Sequence, residues 1–186
     1  MMQVKGSAIA SMTKFITDKH GDAGLKRWLD ALTPQAKQVY SGHIMANNWY
    51  SLREIMVEPT AKMCELFYHG DARGAWEAGK YSADFGLTGF YKIFVKVGSP
   101  DFIFKRASTI MAGYYSPCQL GVTESGPGKV IVHITQFSEP SAMVEARIGG
   151  WIQRALEIHG CKNVSVKITK SLTKGDSVTE YTTTWN

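Results

Sequence analysis

The spacing of the apolar residues changes at Pro117, and that change limits what this chain can fold into. Before Pro117, apolar residues recur three and four apart, the period of a helix with one buried face. After it they come in short runs rich in β-branched residues, the pattern of strands. Helices that precede an antiparallel β-β-α-β-β unit make an α+β domain: an N-terminal helical layer, then a sheet covered by helices. The 186 residues are read as one domain, 1–186, well above the ~40 below which a chain usually needs a staple.

The second half carries the clearest local signals. Residues 119–124 are β-compatible, Ser125-Gly126-Pro127-Gly128 is a turn, and 129–137 (KVIVHITQF) is a strand, giving a hairpin. A helix over 142–159 follows, with Val144, Ile148, Trp151, Ile152, Ala155 and Leu156 as its apolar stripe. Gly149-Gly150 inside it costs ~1 kcal/mol each relative to Ala, so the pair marks close approach of another backbone. Gly160 closes the helix. In 163–171, Val164, Val166 and Ile168 alternate with Ser165, Lys167 and Thr169, which predicts one buried and one wet face. A turn at 173–176 and a strand over 178–185 complete a second hairpin.

The first half reads as helices. Ile9, Met12, Phe15 and Ile16 stripe a helix over 8–20 that Gly21 ends. Asp22 caps the next, with Leu25, Trp28, Leu29 and Leu32 on one face. Thr33-Pro34 starts a third over 35–41. From Trp49 a long helix is expected, which Pro59 must break, kink or restart. Residues 72–84 form a helix whose Gly74, Ala75, Ala78 and Gly79 let a neighbour come close.

Nine of the chain's aromatic residues fall in 79–117. Leu87, Phe90, Tyr91, Phe94 and Val95 make one helical stripe. Ser99-Pro100 starts a second helix with Ile103, Ala107, Ile110, Met111 and Tyr114, ended by Pro117. Such a wall either fills a core or lines an apolar pocket. The candidate ligand contacts are Phe85, Phe90, Tyr91, Phe94, Phe102, Met111, Tyr114, Tyr115 and Trp151. The two tyrosines stand out because a buried hydroxyl needs a partner. His133, mid-strand between Val132 and Ile134, joins them as a polar contact if its sheet face lines the pocket; otherwise it is exposed or satisfied by the backbone.

Other chemistries find little purchase. The net charge is +5, but the basic residues are dispersed, which argues against a nucleic-acid footprint. No run approaches the ~18 apolar residues of a membrane span. Residues 1–6 lack the apolar core of a signal peptide, and three widely spaced cysteines (Cys64, Cys118, Cys161) read as reduced thiols, so a cytoplasmic location is expected. No G-x-S-x-G or placed Cys-His pair predicts a nucleophile. Cys64/His69 and His159/Cys161 do not make a zinc set. The run Gly121 to Gly128 lacks the spacing of a phosphate loop and precedes a strand. No catalytic residue and no metal ligand is assigned.

The order of several short features resembles a known superfamily. These are Gly6-Ser7-Ala8 opening a helix that ends His20-Gly21, Trp49-Tyr50-Ser51-Leu52, Ala78-Gly79-Lys80-Tyr81 and Val97-Gly98-Ser99-Pro100. Gly149-Gly150-Trp151, Gly160-Cys161-Lys162-Asn163-Val164, and Lys174-Gly175-Asp176 before a strand ending in Trp185 complete the set. The chain resembles the ligand-binding domains of haem nitric-oxide-binding (H-NOX) proteins, 4-vinyl-reductase-type domains and TRAPP subunits, nearest to bacterial 4-vinyl-reductase and haem-NO-associated sensory members. The resemblance implies an apolar pocket between helices and sheet, and sensing or association rather than turnover. It departs from H-NOX proteins in lacking their Tyr-x-Ser-x-Arg propionate motif and in having no histidine between His69 and His133. Ser171 and Val178 stand where many 4-vinyl-reductase-type domains carry cysteines.

Three expectations follow. The preferred one is a non-enzymatic sensory domain that binds a small apolar molecule and reports through a homodimer or a signalling partner. The second is a haem or tetrapyrrole binder. The third is a homodimeric association module using the small-residue helix 72–83. No cofactor is fixed by the sequence beyond a hydrophobic small molecule or a tetrapyrrole.

Overall fold

The computed structural model describes residues 1–87 and 100–186, without the side chains of 100–103 and 105–107. The predicted helix through Phe90, Tyr91 and Phe94, the Ser99 cap and the Phe102 side chain lie outside the described residues. The arrangement is α+β, as the change of period at Pro117 requires. Helices α1 (Gly6–Ile9), α2 (Met12–Asp30), α3 (Pro34–Ser41), α4 (Glu58–Tyr68), α5 (Arg73–Gly86) and α6 (Pro100–Tyr114) precede the main sheet. Strands β4 (Gln119–Gly126) and β5 (Lys129–Gln136), helix α7 (Ala142–His159), and strands β6 (Ser165–Lys170) and β7 (Thr179–Thr184) follow. The sheet order is β4-β5-β7-β6, antiparallel throughout.

Several local signals act as their chemistry dictates. Gly21 takes φ 70° and splits α2 into two helical pieces. The Thr33 side chain accepts the Ala36 N–H at 3.3 Å, with Pro34 in the first turn. Ser141 caps α7 through the Met143 N–H, and Gly160, at φ 110°, ends it. On β5, Val130, Val132 and Ile134 face the core; on β7, Thr179, Tyr181 and Thr183 do. Strand β6 is an edge, and Val166 and Ile168 are only half-buried.

Trp49 does not begin a helix. Strand β1 (Gln3–Lys5) pairs antiparallel with β2 (Trp49–Ser51) on one side and with β3 (Tyr115–Ser116) on the other. Val4 stands opposite both Tyr50 and Tyr115. Strands of two or three residues are too short to show an alternating pattern, so pairing across distant parts of the chain overrides local propensity here. A π-helical turn, Arg53–Val57, leads directly into α4, and Pro59 sits in that helix's first turn. The Pro59 carbonyl accepts the Trp28 indole N–H at 2.9 Å.

A close backbone approach joins α5 to α7. A methyl group on Gly79 would lie 2.1 Å from the Arg147 carbonyl oxygen, and one on Gly150 would lie 2.1 Å from the Trp76 carbonyl oxygen. A methyl on Gly149 would meet the Trp76 ring at 2.4 Å. The glycines of both helices thus serve a single crossing. The small-residue face of α5 is covered by α7 of the same chain.

Candidate functional site

A cavity opens where α5, α6 and α7 meet the inner face of β4 and β5. Gly79 and Ser82 come from α5, Phe104, Ile110, Met111 and Tyr114 from α6, and Tyr115 from β3. Leu120 and Val132 form its sheet side, while Arg147, Ile148, Trp151, Ile152, Ala155 and Leu156 of α7 close it; Ala8 and Met56 complete the lining. Water-sized groups have about 60 Å³ in which to move, within about 740 Å³ of empty space when the mouth open to solvent is counted. The inner space is below the ~300 Å³ at the low end of ligand pockets. A guest of more than a few heavy atoms must use the mouth or displace the α6 wall.

Four of the ten predicted contacts come together here. Met111 and Tyr115 are buried, and Tyr114 meets Trp151 edge-on with ring centroids 6.4 Å apart. Phe85 is 44% exposed near the end of α5 and does not line the cavity. His133 is on the opposite strand face from Val132, turned away from the cavity. There its Nε2 lies 2.6 Å from Glu180 Oε2, and Lys170 Nζ and Thr169 Oγ1 donate to the same carboxylate at 3.0 and 2.8 Å. Those bonds, from Thr169, Lys170 and His133 in turn, hold the Glu180 carboxyl down at about 2. Phe90, Tyr91, Phe94 and the Phe102 side chain are outside the described residues.

The sequence reading passed over Arg147. It is 3% exposed and stands on the α7 face that carries Val144 and Trp151, three residues after one and four before the other. A charged residue on an apolar stripe was the available signal. Its Nη2 donates to the Ala8 carbonyl at 3.1 Å and its Nη1 to the Met12 sulfur at 3.4 Å. Burial pushes the Tyr40 and Tyr115 hydroxyls well above the ordinary phenol range, and Arg147 only partly opposes this. Burial also raises the Cys64 thiol, and it pushes Cys118 up to about 11.

A second buried charge, Glu145, lies under α7 on the sheet side. It accepts hydrogen bonds from Thr179 Oγ1 at 2.6 Å, Ser171 Oγ at 2.7 Å and Thr173 Oγ1 at 3.1 Å. The Tyr181 hydroxyl donates to the Glu145 carbonyl at 3.0 Å. This network joins α7 to the last hairpin. Among the described residues there is no cluster of three or more His, Cys, Asp or Glu side chains fit to hold a metal ion.

No family model matches the sequence, and no curated protein matches it. Solved structures do. The H-NOX protein of S. oneidensis in its Fe(II)NO state superposes with a TM-score of 0.75 at 7% identity, over 98% of this chain and 99% of that one. The unliganded Fe(II) H-NOX protein of K. algicida gives 0.72 at 9% identity, over 98% and 96%. A point mutant of the T. Tengcongensis H-NOX gives 0.62 at 14%, over 98% and 97%. The described residues have the H-NOX fold. The wider kinship with 4-vinyl-reductase-type domains and TRAPP subunits remains what the sequence resemblance implies.

The lining can be tested against the haem that this fold suggests. Its described residues offer no histidine and no cysteine, and burial keeps the Tyr115 phenol protonated. Residues 88–99 add no histidine, cysteine or methionine. Among the described residues of the lining, Met56 and Met111 are the remaining soft donors and Arg147 is the one cation. The residues present do not fit a haem held by a histidine or a thiolate.

Proposed function

We propose that this chain is a non-enzymatic, small-molecule-binding domain of the sensory or regulatory kind. Its guest lies in the apolar cavity against α7, and occupancy is read by a partner protein or a second copy. The observation that carries this reading is the cavity itself, an apolar space at the junction of helices and sheet with the buried Arg147 among its described lining residues. Helix α7 is suited to report on it. Ile148 and Trp151 face the guest, while Gly149 and Gly150 rest directly on Trp76 with no side chain between them. A displacement of α7 therefore passes to α5. Native mass spectrometry of protein purified without detergent tests the reading. A retained small molecule on the folded chain is expected, and a bare chain at every protein concentration would count against it.

A tetrapyrrole guest is the second reading. Likeness to H-NOX proteins studied in Fe(II), Fe(II)NO and Fe(II)CO states favours it. The described lining residues supply the apolar walls and a cation, without a histidine or thiolate for the metal. An absorption spectrum after expression with haem supplied decides it: a Soret band that survives gel filtration supports the reading, and loss of all pigment removes it. A homodimer would have to use a surface other than the small-residue face of α5, which α7 already covers; sedimentation velocity over a concentration series measures that.

A further inference from the structure

Arg147 is a buried cation for which no described residue supplies a counter-charge. Its two hydrogen-bond acceptors, the Ala8 carbonyl and the Met12 thioether, are both neutral, and a thioether is a weak acceptor. A guanidinium does not release its proton inside a protein, so the charge persists. Holding such an ion out of water is costly unless a well-placed anion offsets it.

The described groups around Arg147 do not provide that anion. Tyr40, Tyr115 and Cys64 feel its field, yet burial raises all three above their ordinary values, so they face it as neutral dipoles. Glu145 is two residues away on α7, about 200° around the helix. Its two oxygens are engaged by Ser171, Thr173 and Thr179.

We infer that the missing charge arrives with the guest: the cavity takes an amphipathic monocarboxylic acid, aliphatic or aromatic, whose carboxylate seats on Arg147. This rests on the proposed cavity function and names the class of ligand. The guanidinium fork matches a carboxylate with two parallel hydrogen bonds. The acid's apolar body lies among Met56, Met111, Leu120, Ile148 and Trp151. With a single cation among the described lining residues, polyanions such as nucleotides or sugar phosphates are disfavoured, since their further charges find no partner among those residues. The modest inner space favours a short or medium chain over a long one.

Calorimetric titration of the full chain with octanoate and with 1-octanol near pH 7 separates the two levels of the claim. Octanoate is expected to bind about tenfold or more tighter than octanol, as a hydrogen bond to a charged partner allows. Arg147→Met should keep octanol binding, lose the preference for octanoate, and melt no lower than wild type, because an unpaired ion has become a neutral side chain of similar length. Arg147→Lys should keep part of the preference. Equal binding of acid and alcohol by wild type overturns the carboxylate assignment and leaves the cavity function standing; this comparison needs no variant. A preference that survives in Arg147→Met overturns the role of Arg147. Failure of both probes to bind overturns the assignment together with the cavity function beneath it.

Discussion

Gly79 of α5 and Arg147 of α7 meet backbone to backbone, at a spacing that leaves no room for a methyl group beside the Arg147 carbonyl. The contact fixes the depth at which α7 lies and aims its next turn, with Ile148 and Trp151, at the cavity. Glycine at 79 is therefore set by packing, and its unfavourable helix propensity is offset by the crossing it permits.

Gly79→Ala should destabilise the fold by about 2–4 kcal/mol, since backbone rather than a flexible side chain must yield. Gly113→Ala is the matched control. Position 113 is helical with nothing within 4 Å of an added methyl, and a gain of about 0.5–1 kcal/mol is expected there. Urea denaturation of both variants measures the contrast.

Thr179→Val removes the shortest of the three hydroxyl bonds to the buried Glu145 carboxylate while keeping side-chain shape. A loss of about 1–3 kcal/mol is expected, because a buried charged acceptor is left under-satisfied. Glu145→Gln made in the Thr179→Val background should cost less than the two single changes added together, since both act on one network. A thermal-melt double-mutant cycle reads the coupling.

The outer face of the sheet predicts an acid limb. Glu180, held by Thr169, Lys170 and His133, titrates at about 2 in the fold against an ordinary value of 4.5. A carboxyl depressed on folding stabilises above its unfolded value and loses that contribution as pH falls toward the folded one. The melting-temperature difference between wild type and Glu180→Gln should thus be full above about pH 4.5 and shrink progressively toward pH 2. A difference independent of pH across that window would show that Glu180 acts by packing alone.

Local chemistry made much of this fold readable. Helix α7, its glycine pair and the β4–β5 hairpin announce themselves in stretches of eight to eighteen residues, long enough for a period to show. Strands β1, β2 and β3 do not, because two or three residues carry no period and their partners lie far along the chain. That is why Trp49 read as a helix start. Alternation placed His133 opposite Val132 but could not say which face was inward; the hydrophobic run of Val130, Val132 and Ile134 against the core decides it. Phe85 shares an aromatic-rich segment with the cavity wall, yet its place near the end of α5 keeps it out of the described lining. Arg147 was hidden by its type, since a charged residue in an amphipathic helix is ordinarily assigned to the wet side.

Methionine methyl NMR tests the central claim most directly, because the eight methionines are placed as built-in reporters. Met56 and Met111 line the cavity, whereas Met1 and Met45 are exposed. On titration with 1-octanol, the Met56 and Met111 methyl resonances should shift saturably together while those of Met1 and Met45 stay still. Shifts confined to the exposed methionines, or none at all, would contradict a guest between α6, α7 and the sheet.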